Sequence, residues 1–253
     1  MFKWLSFLFI FSVLNWSCTK SHNSVTRGFY FWQSNLSSNT LNSGRLDSLN
    51  IESLYIKFFD VTIDEASQQP IPVADISFEQ PVPANISIIP VVFITNNTLE
   101  NLDTIQCKYL AQKIAKRIQY IIDTNNLALP SEIQIDCDWT ASTRQNYFIL
   151  LQTIKQYPAF NKIQISSTIR LHQIKYYKTT GVPPVDKGLL MFYNMGNIED
   201  DKSVNSIYDE NIAAQYVDNI NAYPLALDAA IACYSWGLLY DSHQLLRIFY
   251  PLY

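Results

Sequence analysis

Hydrophobic and polar positions alternate with period two in a series of short stretches, and longer stretches with helical periodicity lie between several of them. The alternation is clearest over residues 132–140, Glu-Ile-Gln-Ile-Asp-Cys-Asp-Trp-Thr, where Ile133, Ile135 and Cys137 share one face and Gln134, Asp136 and Asp138 the other. Aromatic and β-branched runs predict further strands over 27–36, 53–61, 86–95, 162–168 and 188–196, with a seventh apolar segment over 225–239. Several end in polar residues, such as Asp60 after the second and Asn194 within the sixth.

Helical periodicity is strongest over 101–123, where Leu102, Ile105, Leu110, Ile114, Ile118 and Ile121 recur and Lys113, Lys116 and Arg117 fall between them as a solvated face. Ser142 and Gln145 have capping-box spacing, so a second helix is expected from 142 to 157, and a third over 204–222. The stretch 66–85 carries Pro70, Pro72, Pro81 and Pro83 and predicts a crossover without a helix; 170–186, with Pro183 and Pro184, reads as an irregular excursion.

Strands alternating with helices predict an α/β fold, and the number of strands fits a (β/α)8 TIM-like barrel of roughly 250 residues. In such a barrel the Gln134, Asp136 and Asp138 face lines the interior and the mouth, where ligands bind. The eighth strand is the weak place. Only 244–253 remains for it, and that segment either joins the barrel or folds back on the seventh through Asp241, Ser242 and His243, leaving an irregular or incomplete barrel. A doubly wound open sheet is the alternative. No glycine-rich phosphate loop follows any strand and the chain has 6 glycines, so neither a nucleotide nor any other cofactor is expected.

The first residues change what counts as the folded part. Lys3, the apolar run 4–14 and Ser17-Cys18 form a signal peptide too short to span a bilayer, which takes about 20 apolar residues. The segment resembles a bacterial lipoprotein signal in the looser form of the Bacteroidetes. That resemblance implies cleavage after residue 17, lipidation at Cys18, a tether over 18–26, a single barrel domain over 27–253 and a place in the cell envelope, on the outer membrane. Loss of Lys3 moves the net charge from −4 to −5. No basic cluster points to nucleic acid as a partner. Cys107, Cys137 and Cys233 are an odd set in apolar segments and read as buried small hydrophobes; His22, His172 and His243 are scattered and make no metal site.

Two segments resemble chitinase-type glycosidases. Residues 135–140, Ile-Asp-Cys-Asp-Trp-Thr, are similar to their fourth-strand signature of alternating aspartates, a tryptophan and a catalytic glutamate, and 191–194, Met-Phe-Tyr-Asn, to their sixth-strand motif. The likeness implies that Asp136 and Asp138 orient an acetamido group and that Tyr193 hydrogen-bonds it. Thr140 stands where the general acid is expected and Asn194 where the family has a carboxylate. A threonine hydroxyl cannot replace a carboxylic acid that supplies a factor of about 10² to 10⁴. Together with 55–61 and with Ser142, Thr143, Arg144 and Tyr147, these segments also resemble a family of uncharacterised secreted bacterial proteins with the same expected barrel.

Three functions fit. In the first the barrel binds a glycan without chitinase-type catalysis, with Trp32, Trp139, Tyr193 and Trp236 stacking on sugar rings and Asp136, Asp138, Asn194 and Gln33 taking hydrogen bonds from hydroxyls. In the second it is a glycoside hydrolase whose carboxylate pair is Asp138 and Asp60, with Asp136 beside them. In the third it is a structural or assembly lipoprotein whose aspartates cap helices or pair with Arg144 and Arg170.

Overall fold

The structure, a computed structural model, describes residues 25–38 and 40–250; the expected signal peptide and Cys18 lie outside them. Twelve strands are present among these residues: β1 (Gly28–Phe31), β2 (Asn35–Leu36), β3 (Ser53–Ile63), β4 (Pro70–Val73), β5 (Ser77–Phe78), β6 (Ser87–Ile94), β7 (Glu132–Asp136), β8 (Gln164–Arg170), β9 (Lys187–Met191), β10 (Leu227–Ala230), β11 (Gly237–Asp241) and β12 (Gln244–Phe249). Seven form one parallel sheet in the order β1-β3-β6-β7-β8-β9-β10. β10 does not pair with β1, so the sheet is an incomplete, TIM-like half-barrel. The last apolar segment forms the β11–β12 antiparallel hairpin and takes no place in the sheet.

The sheet is curled. Tyr55 of β3, Ile89 and Val91 of β6 and Leu189 of β9 bury one another, and Tyr30 of β1 and Ala230 of β10 pack against them. Side chains from opposite halves of a flat sheet cannot meet in this way. The outer face is covered by helices. The longest, Thr104–Thr124, starts at a reciprocal capping box in which the Gln106 amide donates to Asp103 and the Asp103 amide to Gln106, both at 2.8 Å. It buries Cys107, Leu110, Ala111, Ile114, Ala115, Ile118, Ile121 and Ile122. Ile105 is exposed because it stands two residues before Cys107, about 200° around the helix from the buried face. Arg117 is not merely solvated: it pairs with Asp75 and lies over the ring of Phe59.

Other boundaries differ from the sequence reading for local reasons. The first aromatic stretch breaks after Phe31, and Asn35–Leu36 pairs instead with β5. The proline-rich crossover contains no helix, yet Pro70–Val73 pairs along the edge of β3, where a missing N–H costs nothing on the solvent side. The irregular excursion holds two short helices, Leu171–Lys175 and Tyr177–Thr180, and the third helix is confined to Glu210–Ile220. The second helix is Arg144–Lys155, and the Ser142 capping box does not form; Thr143 precedes the helix and its hydroxyl accepts from the Thr140 amide at 2.9 Å.

That second helix is anchored by Tyr147, which is fully buried. Its hydroxyl donates to the Ile135 carbonyl at 3.0 Å and lies 2.7 Å from the Ser167 hydroxyl, while its ring stacks on Trp139 at 5.2 Å. Tyr147→Phe removes the donor to the Ile135 carbonyl, while the Ser167 hydroxyl keeps its bond to the Thr168 carbonyl at 3.3 Å, so denaturant unfolding is expected to register a loss of about 0.5–1.5 kcal/mol.

Candidate functional site at the barrel mouth

Curling brings the polar face of β7 inward, as the alternation predicts. Glu132, Gln134 and Asp136 are buried among side chains of other strands. Gln134 accepts a hydrogen bond from the Tyr30 hydroxyl across the barrel and donates to Ser166 at 3.3 Å. Lower in the interior, Lys187 joins Glu132 at 2.7 Å and Asp228 at 2.6 Å, so three strands share one ion-pair network. These contacts fill the inside with paired polar groups.

At the C-terminal end of β7 the two aspartates part company. Asp136 is only 3% exposed, and the Thr168 hydroxyl donates to its Oδ1 at 2.6 Å. Burial pushes its carboxyl up to about 6; the Thr168 hydrogen bond and Arg170 oppose this, and the charges of Asp138 and Asp60 add to it. Asp138 is exposed, and both its oxygens are held by the fork of Arg170, the Nη2 contact at 2.6 Å. Arg144 pairs with neither; it donates to the Thr179 carbonyl at 2.7 Å.

Asp60 reaches the same mouth through a β-bulge. The β3–β6 register shifts between Lys57 and Phe59, leaving Phe58 as an extra residue. In a regular strand residues three apart face opposite sides. Here Lys57 and Asp60 share the inner face and pair at 2.8 Å, while Phe58 and Phe59 are both buried in the outer core. Asp60 therefore pairs with Lys57 and faces the mouth at once.

Tyr193 completes the cluster. Burial raises its phenol well above the ordinary value, and the charges of Arg170, Asp136 and Asp138 all act on it. Its ring meets Tyr234 edge-on at 6.1 Å. The Tyr234 hydroxyl donates to Asn194 Oδ1 at 2.7 Å, and Asn194 takes a left-handed φ of 54°, a conformation that asparagine tolerates at the turn leaving the strand. At the opposite edge Trp32 is 43% exposed and lies flat on Tyr30, with ring centres 5.3 Å apart; Gln33 beside it is exposed.

Two expected roles fail. Trp139 is 4% exposed, packed against Tyr147 and Phe148, and donates to the Thr180 carbonyl at 3.3 Å, so it is a core residue with no face for a sugar. Cys233 is exposed, unlike Cys107 and Cys137, because its segment leaves the sheet after Ala230. Trp236 is half-buried and donates to Ser206 at 2.9 Å. It lines a cleft of about 690 Å³ with Tyr193, Ser206, Tyr208, Tyr234 and Tyr240. Neither Asp136 nor Asp138 forms part of that wall; Tyr193 is where the cleft meets the mouth. Gly196 fits the turn beside it because a side chain there would strike the Ser206 backbone at 2.8 Å. The sequence reading missed Tyr30 and Thr168 as mouth residues and saw Arg170 only as an ion-pair partner. The alternation of β8, with Ser166, Thr168 and Arg170 opposite Ile165, Ser167 and Ile169, carried the signal for two of the three.

Because the folded carboxyl of Asp136 titrates above the ordinary 3.8, its contribution to stability is complete below pH 4 and is lost as pH rises through 6. Asp136→Asn is thus expected to gain on the wild type by on the order of 3 kcal/mol between pH 4 and pH 7, at about 1.4 kcal/mol per pKa unit, in denaturant melts across that range. A constant difference would contradict the burial of an ionisable carboxyl.

The sequence matches no family model and no curated protein. Among solved structures, the fold is similar to a chitinase from Chromobacterium violaceum (TM-score 0.51, 12% identity, covering 82% of this chain and 69% of that one). It is also similar to the Bacillus cereus spore cortex-lytic enzyme SleL (0.50, 15%, 90% and 56%) and to a chitinase from Bacteroides thetaiotaomicron (0.51, 13%, 79% and 63%). The chain thus spans less than two thirds of the length of the last two. At these identities the likeness is one of fold: the half-barrel has the architecture of chitinase-like glycosidases.

Proposed function

We propose that the barrel mouth binds a glycan and does so without chitinase-type catalysis. The observation that carries this reading is the convergence of Asp136, Asp60, Tyr193 and the Arg170–Asp138 pair at the barrel mouth, with the aromatic cleft around Trp236 adjoining at Tyr193 and the exposed Trp32 face at the opposite edge. Carboxylates, phenols and a guanidinium offer the mixed acceptors and donors that sugar hydroxyls need, and the flat rings suit the apolar faces of pyranoses. Thr140 cannot serve as the acid, and its hydroxyl is engaged with Ser142 at 2.9 Å. The fold likeness to chitinases is consistent with this reading. The exchange of Asp138 with Arg170 favours a tie-down role for that one residue, as the structural reading expects.

The protein is also, in this proposal, a bacterial lipoprotein anchored through Cys18, with the barrel displayed at the cell envelope on the outer membrane.

Two outcomes are expected. In thermal melts against chitotetraose, cellotetraose and peptidoglycan fragments, at least one ligand at a hundred times its dissociation constant should stabilise the protein by about 2.7 kcal/mol. Tyr193→Phe should weaken that binding about tenfold or more, for loss of one buried hydrogen bond; no stabilisation by any of these ligands would refute the glycan reading. Cells fed an alkyne-tagged palmitate should label the wild type and leave Cys18→Ala unlabelled, and equal labelling of the two would remove the anchor.

A further inference from the structure

We propose that the aromatic cleft adjoining the mouth holds the next units of the bound glycan, and that those units are uncharged pyranoses. The inference rests on the glycan reading of the mouth and adds to it the class of sugar chain and the path that chain takes.

The cleft is a built space. One wall is the loop after β9, and the other is the chain that runs from β10 into the β11–β12 hairpin. The loop folds back on itself: the Gly196 amide donates to the Ser206 carbonyl at 3.0 Å, and Asn205 Oδ1 accepts from the Ile207 and Tyr208 amides at 3.0 and 3.1 Å. Three contacts tie the second wall to the first. The Trp236 indole donates to Ser206, the Tyr240 hydroxyl donates to the Ile198 carbonyl at 2.6 Å, and His243 meets Asp201 at 2.6 Å. A space held open in this way costs a ligand little ordering of the protein. Its volume of about 690 Å³ lies within the roughly 300–1,000 Å³ of small-ligand sites.

The wall chemistry selects the occupant. None of the described residues that line the cleft is Asp, Glu, Lys, Arg or His. An ionised group entering it would shed hydration and meet no counter-charge, which disfavours acidic sugars, amino sugars and phosphates. The rings are inclined to one another: Phe192 and Tyr208 by 54°, Tyr193 and Tyr234 by 85°, Tyr234 and Trp236 by 52°. These pairs form no parallel slot for a flat aromatic ligand, whereas inclined faces suit puckered rings whose C–H surfaces turn from one unit to the next. Of the cleft phenols, Tyr234 and Tyr240 are engaged with Asn194 and Ile198, which leaves Tyr193 and Tyr208 to meet sugar hydroxyls. Val204 and Ile231 on the wall are exposed apolar surface that a bound chain would cover.

Continuity sets the path. Tyr193 lines the cleft and also feels the charges of Arg170, Asp136 and Asp138. A chain with one unit in the charged mouth therefore passes Tyr193 and continues into the uncharged cleft.

The test is calorimetry on the intact protein with cellobiose, cellotetraose, chitobiose and chitotetraose as neutral probes and tetraglucosamine and tetragalacturonate as charged ones. At least one neutral tetrasaccharide is expected to bind about tenfold or more tightly than its own disaccharide and than either charged tetrasaccharide. Trp236→Ala and the rim variant Tyr208→Ala should each weaken that tetrasaccharide about tenfold or more. Fluorine NMR of the wild type carrying fluorotryptophan, with Trp236 assigned through Trp236→Phe, should show that resonance move as the tetrasaccharide binds; this readout stands even where an alanine variant fails to fold. A neutral tetrasaccharide that leaves Trp236 unmoved, binds no tighter than its disaccharide, is matched or exceeded by a charged one, or binds both folded alanine variants as it binds the wild type overturns the cleft assignment and leaves the mouth as the glycan site. Absence of binding to every probe overturns the glycan reading beneath it.

Discussion

The constraint on which the site depends is the curl of a parallel sheet whose inner face is polar. Helices cover the outer face, where Ile133, Ile135, Ile165 and Ile169 are fully buried. The inner residues therefore have only each other, and each must find a partner across the barrel. Tyr30 reaches Gln134, Thr168 reaches Asp136, and Lys187 spans Glu132 and Asp228. The concave surface so formed is held by hydrogen bonds and ion pairs as much as by the small apolar cluster around Tyr55 and Leu189.

Incompleteness shapes the same interior. A closed barrel removes its sheet edges, whereas β1 and β10 keep theirs. The chain after β10 forms the β11–β12 hairpin, which stays outside the sheet and is tied to the loop after β9 by the Tyr240 hydroxyl at the Ile198 carbonyl. The aromatic cleft arises from this detour, because Tyr234, Trp236 and Tyr240 lie on the path from β10 into the hairpin.

Two carboxyls that stand two residues apart on one strand receive opposite environments. Asp136 lies inside and is pressed toward its neutral form, while Asp138 projects beyond the strand end, reaches solvent and meets Arg170 on the neighbouring strand. One residue's advance along the inner face, about 6.6 Å for two positions, is enough to cross from the barrel interior to its rim. A third carboxyl, Asp60, reaches the group only because Phe58 is looped out of the ladder.

The period-two pattern by itself determined that Gln134 and Asp136 face away from Ile133 and Ile135, and the succession of strand and helix patterns pointed to a parallel sheet. The first follows from backbone geometry, which fixes where successive side chains point. It also left two outcomes open for the last apolar stretch, of which the hairpin is the one that formed. What only the tertiary structure decided was the partner of each polar group. Trp139 sits next to the site in sequence, yet it is core because the helix carrying Tyr147 packs over it. Asp60 should face away from Lys57 by its spacing, and a bulge reverses this. Tyr30 reaches Gln134, 104 residues away, and Arg170 reaches Asp138, 32 away, because neighbours across a barrel are set by strand order and curl, quantities that no local window of sequence contains.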